Sequence, residues 1–376
     1  MSGSASSPWA RVSPAMALET TRILASRLGC PSFAKLPTSA LVSCLRNKPV
    51  AELTVHSEVM WDDTARALVD YAWVPVRDGE IVVDVETASS FQGPLLAGLV
   101  NNEGGTMQSW EVPRVSAVYP EAEIMLMQRS FLHHNLIPAL LRQAYNVSTS
   151  TAALVVECFY SSLPEAVAAS TRLRHDEVSD WEMSEIFGDV AYVYGTLKDL
   201  NRFSSTQASF LYYFDHQTNR RRVRGIRHVD DLAYLTGFVQ PLAYTLDFRG
   251  NISEEDLQLS RHFRQLIVNF VKNGEPNTGG RPPSWPVWSP YTIRNGDYLV
   301  IGRSPRVAPH LKSDRMNFWT YDLPPLLTPS RNVSAKWREC LSSTMRTSGQ
   351  QPTDSGTLRY WLLSACLCFT LAVLNR

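Results

Sequence analysis

An α/β fold, a sheet flanked by helices, is predicted for this chain by three observations. Two apolar runs, Pro94 to Val100 and Ser209 to Phe214, read as buried strands. The stretch between them, from Tyr119 to Asn201, is rich in Leu, Met and Ala and looks mostly helical. An acidic residue and a histidine, Glu103 and His228, follow the two runs, in the loop positions that carry chemistry on a rigid scaffold.

The elements can be justified in order. Met16 to Leu28 has a helical pattern closed by Gly29, and Trp73 to Gly79 reads as a strand and turn, followed by Ile81 to Val85. The first buried run leads into Asn101-Asn102-Glu103-Gly104-Gly105. After the second run, His216 falls in a turn, and Gly225-Ile226-Arg227-His228-Val229-Asp230-Asp231 follows. Ser253 caps a helix with Asp256 three residues on, and Leu259, Phe263, Leu266, Ile267 and Phe270 recur at helical spacing until Asn273-Gly274-Glu275-Pro276 stops it. A Pro- and Trp-rich loop from Arg281 to Tyr291 precedes a strand, Tyr298 to Ile301, and an amphipathic helix near Ser313 to Leu323.

Composition bounds the function. The 376 residues, 44% hydrophobic and 19% charged, supply apolar material for a large core. Thirty-six basic and 36 acidic residues cancel, and the dense basic run Arg220-Arg221-Arg222-Val223-Arg224 is a turn-like stretch without a nucleic-acid module's signature, so no nucleic acid is expected as partner. No repeat or long linker interrupts residues 1–325, read as one unit; 326–359 is polar and stalk-like, and 360–376 is a hydrophobic tail.

The cysteines and sequons point to the secretory pathway. Cys30 and Cys44 are spaced for a small disulfide loop, worth roughly 3 kcal/mol in the chain-entropy model. Asn146, Asn251 and Asn332 each begin an Asn-x-Ser glycosylation triplet. Cys158, Cys340, Cys366 and Cys368 show no clear partners, and Cys340 in the stalk suggests an intermolecular disulfide. Met1 to Pro14 carries no signal peptide, from which an upstream segment is expected. Tyr360 to Leu374 would span about 22 Å as a helix, short of the roughly 30 Å hydrocarbon core. It suits the removable tail of a GPI signal, with attachment at Ser348-Gly349 and Gln350 to Arg359 as spacer; a short tail anchor or a buried terminal helix are the alternatives.

Glu103 and His228 occur in the order in which an α/β-hydrolase places its triad acid and histidine, after the nucleophile. The nucleophile motif Gly-x-Ser-x-Gly is absent, as is a His-Gly-Gly-Gly oxyanion segment.

These segments, in this order, resemble the C-terminal two thirds of a type-B carboxylesterase or cholinesterase-like protein over residues 1 to about 325. Met1 to Ala5 with Pro8-Trp9-Ala10 resembles the part just downstream of the nucleophile elbow. Gly29-Cys30 with Cys44-Leu45-Arg46 resembles the family's small disulfide loop, and Pro75-Val76 with Asp78-Gly79 its next strand and turn. Glu103 before a glycine and His228 before an acidic pair match the triad acid and histidine, Asn269-Phe270 with Asn273 to Asn277 a helix end, and Phe318-Trp319 the terminal helix. Val229 departs from the glycine that usually follows the histidine. The resemblance implies the C-terminal portion of an α/β-hydrolase fold, a central mixed sheet flanked by helices, with no cofactor and no metal.

Within the family, Tyr298 to Gly302 with Pro305-Arg306-Val307 resembles neuroligins, and a cholinesterase's second disulfide is replaced by Tyr194 and Met316. The expectation is therefore a catalytically silent, neuroligin-like surface protein in which Glu103 and His228 are triad remnants. Its partner would be a neurexin-like cell-surface protein, with dimerisation through the C-terminal helices and membrane attachment through the tail. The alternative is a fragment of a secreted or membrane-anchored serine esterase whose nucleophile lies upstream.

Overall fold

The structure, a computed structural model, describes residues 6–30, 38–57, 73–82, 92–105, 129–172, 175–216, 225–238, 252–327 and 337. Among the described residues four strands form one sheet in the order β1 (Leu95–Val100), β2 (Ser209–Phe214), β3 (Tyr298–Ile301) and β4 (Arg306–Ala308). The first three are parallel and β4 is antiparallel to β3, so the sheet is mixed and flanked by helices, the architecture of an α/β-hydrolase. Parallel neighbours need long crossovers. Here β1 and β2 are joined across α4 (Ile137–Tyr145), α5 (Ser150–Ser161), α6 (Pro164–Arg172), α7 (His175–Gly188) and α8 (Tyr194–Phe203). Between β2 and β3 run α9 (Asp231–Leu235) and α10 (Glu254–Asn273); α11 (Ser313–Asn317) follows β4. Ahead of the sheet lie α1 (Pro14–Arg27), α2 (Thr38–Arg46) and α3 (Val50–Ser57).

Side-chain alternation along the strands divides the core into two faces. Leu95, Ala97, Leu99 and Leu211 pack with the helices of the first crossover and with Phe318 and Trp319. Leu96, Val100, Phe210, Tyr212, Phe214, Leu299 and Ile301 pack with Phe263 and Leu266 of α10 and with Trp285 and Trp288. β1 and β2 pair over all six residues of each, and every residue of β1 is buried, while β1 stands at one end of the sheet among the described residues.

The other expectations sort by local chemistry. α1 and α10 match their predicted spans; α10 has a capping box between Ser253 and Asp256 and ends at Gly274 in the left-handed conformation. The Cys30–Cys44 disulfide is formed. Around Trp73 to Gly79 the described residues form an isolated bridge, Val76 to Val12. The helix near Ser313 is a short α11 continued by a wider π-type turn, Phe318–Asp322. Among the described residues no helix is long and apolar enough to cross a membrane. Residues 83–85 of the strand expected to Val85, the Arg220 to Arg224 run, Asn251, Asn332, Cys340, Cys366, Cys368, the attachment site and the tail all lie outside the described residues.

Gly98 sits opposite Tyr212 in the β1–β2 register, and a Cβ there would lie 1.7 Å from the tyrosine's Cζ. The ring cannot move freely, since its hydroxyl donates to Asp231 Oδ2 at 2.6 Å inside the core. Gly98→Ala therefore combines overpacking with loss of that bond, and is expected to destabilise the fold by about 2–4 kcal/mol, read from the urea midpoint at unchanged m-value.

Candidate active site

The sequence from β1 turns sharply at its C-terminal end. Asn101 to Gly105 forms a tight turn, and the carboxylate of Glu103 folds back so that Oε1 accepts from the Val100 backbone N–H at 2.8 Å. Gly104 permits this turn to touch α7: a Cβ on it would stand 1.9 Å from the Ser184 carbonyl oxygen, and one on Gly188 would stand 2.7 Å from the Gly104 nitrogen. Glu103 is thereby buried at 2% exposure with one oxygen already satisfied.

The histidine loop is laced to that turn by its backbone. Asn102 N–H donates to the Ile226 carbonyl at 3.0 Å, and Ile226 N–H donates to Asn101 Oδ1 at 2.7 Å. Asn101 is held in turn by its amide, which donates to Asp215 Oδ1 at 2.7 Å, and Asn102 Oδ1 accepts from Ser184 Oγ at 2.5 Å. On the far side of the loop Arg227 N–H donates to Asp230 Oδ2 at 2.6 Å. The result places His228 Nδ1 2.7 Å from Glu103 Oε2.

That hydrogen bond fixes the chemistry of the ring. A carboxylate at Nδ1 selects the tautomer with the proton there, which leaves the Nε2 lone pair free as a base. The imidazole stacks on Tyr192 at 4.1 Å and 24° between planes, so its orientation is set from the face as well as the edge. Burial alone would lower its pKa, but the hydrogen bond and charge of Glu103, with the charges of Asp231 and Asp230, raise it above the ordinary value. Asp231, buried beside the pair, is pushed up to about 6 by desolvation and by the charges of Glu103 and Asp230, against the opposing hydrogen bond of Tyr212 and charge of His228.

The surrounding elements reach the site through Tyr192. It lies in a π-type turn, Asp189–Val193, between α7 and α8. Trp9 meets Tyr192 edge to face at 5.6 Å and donates its indole N–H to the Ala191 carbonyl at 2.7 Å. Beneath, a buried charge cluster pins the same turn: Lys312 Nζ lies 2.8 Å from both Glu185 Oε2 and Asp189 Oδ1, and Arg315 pairs with both acids. Burial would raise the Glu185 carboxyl; Lys312 and Arg315 hold it below the usual range.

Of the residues singled out in the sequence, the structure brings Glu103 and His228 together. Among the described residues no serine, threonine or cysteine hydrogen-bonds His228. Asn146 caps α4 in the left-handed conformation and is exposed, well placed for a modifying enzyme to reach. His216 is buried, its Nε2 2.8 Å from Asp256 Oδ1, and belongs to the cap of α10. Tyr194, at one of the two positions where a cholinesterase has its second disulfide, shares a hydrogen bond with Thr320, so the same two elements are joined without sulfur. Sequence reasoning missed Asn101, Asn102, Tyr192 and Asp231. The Asn-Asn pair before Glu103 and the Asp-Asp pair after His228 were the available signals; Tyr192 left none.

A family model described as "Carboxylesterase family" matches residues 1–319. The chain is 25% identical over 310 residues to mouse pyrethroid hydrolase Ces2a, covering 81% of this chain and 49% of that protein. It is 25% identical over 350 residues to the acetylcholinesterase of Bungarus fasciatus, covering 90% and 53%, and 24% identical over 343 residues to rat bile salt-activated lipase, covering 86% and 51%. The chain thus spans about half the length of the curated relatives it matches.

Two substitutions test the site's construction. Val229 has φ +72°, a left-handed conformation that penalises a β-branched residue. Gly relieves that penalty and Ala does not, while both lose the side chain's packing on the α10 face of the core. Val229→Gly is expected to be as stable as Val229→Ala or more so by up to about 1 kcal/mol, the reverse of the usual order, in chemical denaturation. For Asp231, whose folded pKa lies above its ordinary 3.8, the stabilising contribution is complete below that value and is lost as pH rises through about 6. The amount is roughly 3 kcal/mol at 1.36 kcal/mol per pH unit. Asp231→Asn should remove this slope between pH 4 and 7, measured as unfolding free energy against pH.

Proposed function

Because this chain belongs to the carboxylesterase family, we propose that it carries the acid and base of a serine-type carboxylic ester hydrolase. The observation that carries this reading is the 2.7 Å Glu103–His228 pair with Nε2 left free. In that role Nε2 takes the serine proton as the hydroxyl attacks the ester carbonyl, and returns it to the departing alcohol. Glu103 keeps the ring in the reactive tautomer and stabilises the imidazolium. The nucleophile and the oxyanion donors would come from outside these 376 residues, which hold no Gly-x-Ser-x-Gly. Trp9 supports this arrangement, since it packs on the residue that stacks against His228 and lies in the segment that by resemblance follows the nucleophile elbow. The substrate class is a carboxylic ester, as the names of the hydrolase and lipase relatives suggest. The Cys30–Cys44 disulfide and the exposed sequon at Asn146 favour a secreted or cell-surface setting.

A second reading is a catalytically silent surface protein of neuroligin type, recognising a neurexin-like partner and attached through its tail. The joint replacement of a disulfide by Tyr194 and Met316 favours it. Fluorophosphonate labelling of the natural protein that contains this chain separates the two. The hydrolase reading expects about one label per molecule and a loss of at least roughly 10³-fold in kcat on a model ester for His228→Ala. A folded protein that takes no label refutes it and leaves the adhesion reading.

A further inference from the structure

Glu103 holds His228 at one atom, and a single hydrogen bond fixes a point on a ring but not its plane. The imidazole could turn about that contact and carry Nε2 away from a substrate. Its plane is set by Tyr192, whose ring lies 4.1 Å from the imidazole at 24°. Tyr192 is closely enclosed in its turn: it is buried, with Trp9 edge to face at 5.6 Å and Phe187 edge to face at 6.1 Å. The same contact bears on charge. The face of an aromatic ring is its electron-rich side, so a cation stacked on it is attracted and a neutral ring much less so. The charged and titratable groups around His228 are Glu103 on the turn after β1, Asp230 and Asp231 at the start of α9, and Arg227 on the histidine's own loop. Tyr212 of β2 stands behind Asp231, to which it donates. Tyr192 adds to these a contact on the ring face.

We propose that Tyr192 is a positioning residue for His228, acting through its ring face to hold the plane of the imidazole and to favour the imidazolium over the neutral base. This role rests on the hydrolase reading above. The imidazole is neutral before reaction and becomes a cation when the serine proton arrives on Nε2, so the contact strengthens toward the transition state. Tyr192 touches neither the ester nor the proton. It works on the group that does.

Substitution at position 192 in the natural protein that contains this chain separates the ring face from bulk alone. Tyr192→Phe keeps the ring and removes the hydroxyl. Tyr192→pentafluorophenylalanine, introduced by amber suppression, keeps that shape and withdraws electron density from the face. The titration of His228 is followed by NMR of isotope-labelled histidine rings, assigned by the signal lost in His228→Ala, and needs no turnover. The expected midpoint is unchanged in Tyr192→Phe and lower by about 0.5–1 pH unit in the fluorinated protein, with Tyr192→Leu lowered in the same direction. On a model ester, kcat should fall about 3–10-fold in the fluorinated protein and about 10²-fold in Tyr192→Leu, which also frees the plane, with KM unchanged in both. Fluorophosphonate labelling of the unsubstituted protein keeps the two readings apart: a protein that takes no label sinks the hydrolase reading, while the His228 midpoints still decide whether the ring face acts on the imidazolium. Equal midpoints in Tyr192→Phe and the fluorinated protein, or a shift in Tyr192→Phe as large as the fluorinated one, would overturn the proposal.

Discussion

A carboxylate cannot be buried at the end of an apolar strand without compensation, and the arrangement around Glu103 follows from that requirement. One oxygen takes the Val100 amide and the other the imidazole of His228, so each oxygen is assigned to a partner within this chain. The glycine at 104 lets α7 close over the turn, and the Asn101–Asn102 pair ties the histidine loop to it. Remove the acid and the loop loses its anchor; remove the loop and an unpaired charge remains in the core.

The support for that pair extends outward in layers. Tyr192 holds the face of the imidazole, and the turn bearing it is fixed by Trp9 above and by the Lys312–Arg315–Glu185–Asp189 cluster below. The cluster is itself a set of buried charges whose mutual attraction must offset their desolvation, and it is completed by Tyr160, which donates to Asp189 Oδ2 at 2.8 Å. The last helical segment of the body is thus coupled to the site through ionic contacts, although none of its residues touches the histidine.

Much of the frame was legible in the sequence because its signals are local. Alternation and apolar runs place β1, β2 and β3; Ser253 with Asp256, and Gly274, place both ends of α10. Glu103 and His228 were legible as a pair only through their order and the family resemblance, since no local pattern says that residues 125 apart meet. What escaped were features decided by tertiary contact. The strand expected near Trp73 is, among the described residues, one bridge to Val12, and the helix near Ser313 widens at Phe318 where the aromatic cluster packs. Tyr192 was invisible because a tyrosine in a helical run carries no sign that a histidine will lie on its face. Val229 is the opposite case: the sequence marked it as a departure from glycine, and its positive φ supplies the physical meaning of that departure.

The lacing of the histidine loop to the acid's turn has an evolutionary consequence. The hydrogen bonds described above that order Glu103 and His228 begin and end inside this chain, and none of them needs the nucleophile. Mutation of the nucleophile would therefore release little selective pressure on the dyad, since the same bonds that once served catalysis continue to serve folding. A lineage in which the serine is lost would keep an oriented base for as long as those bonds hold the two loops together.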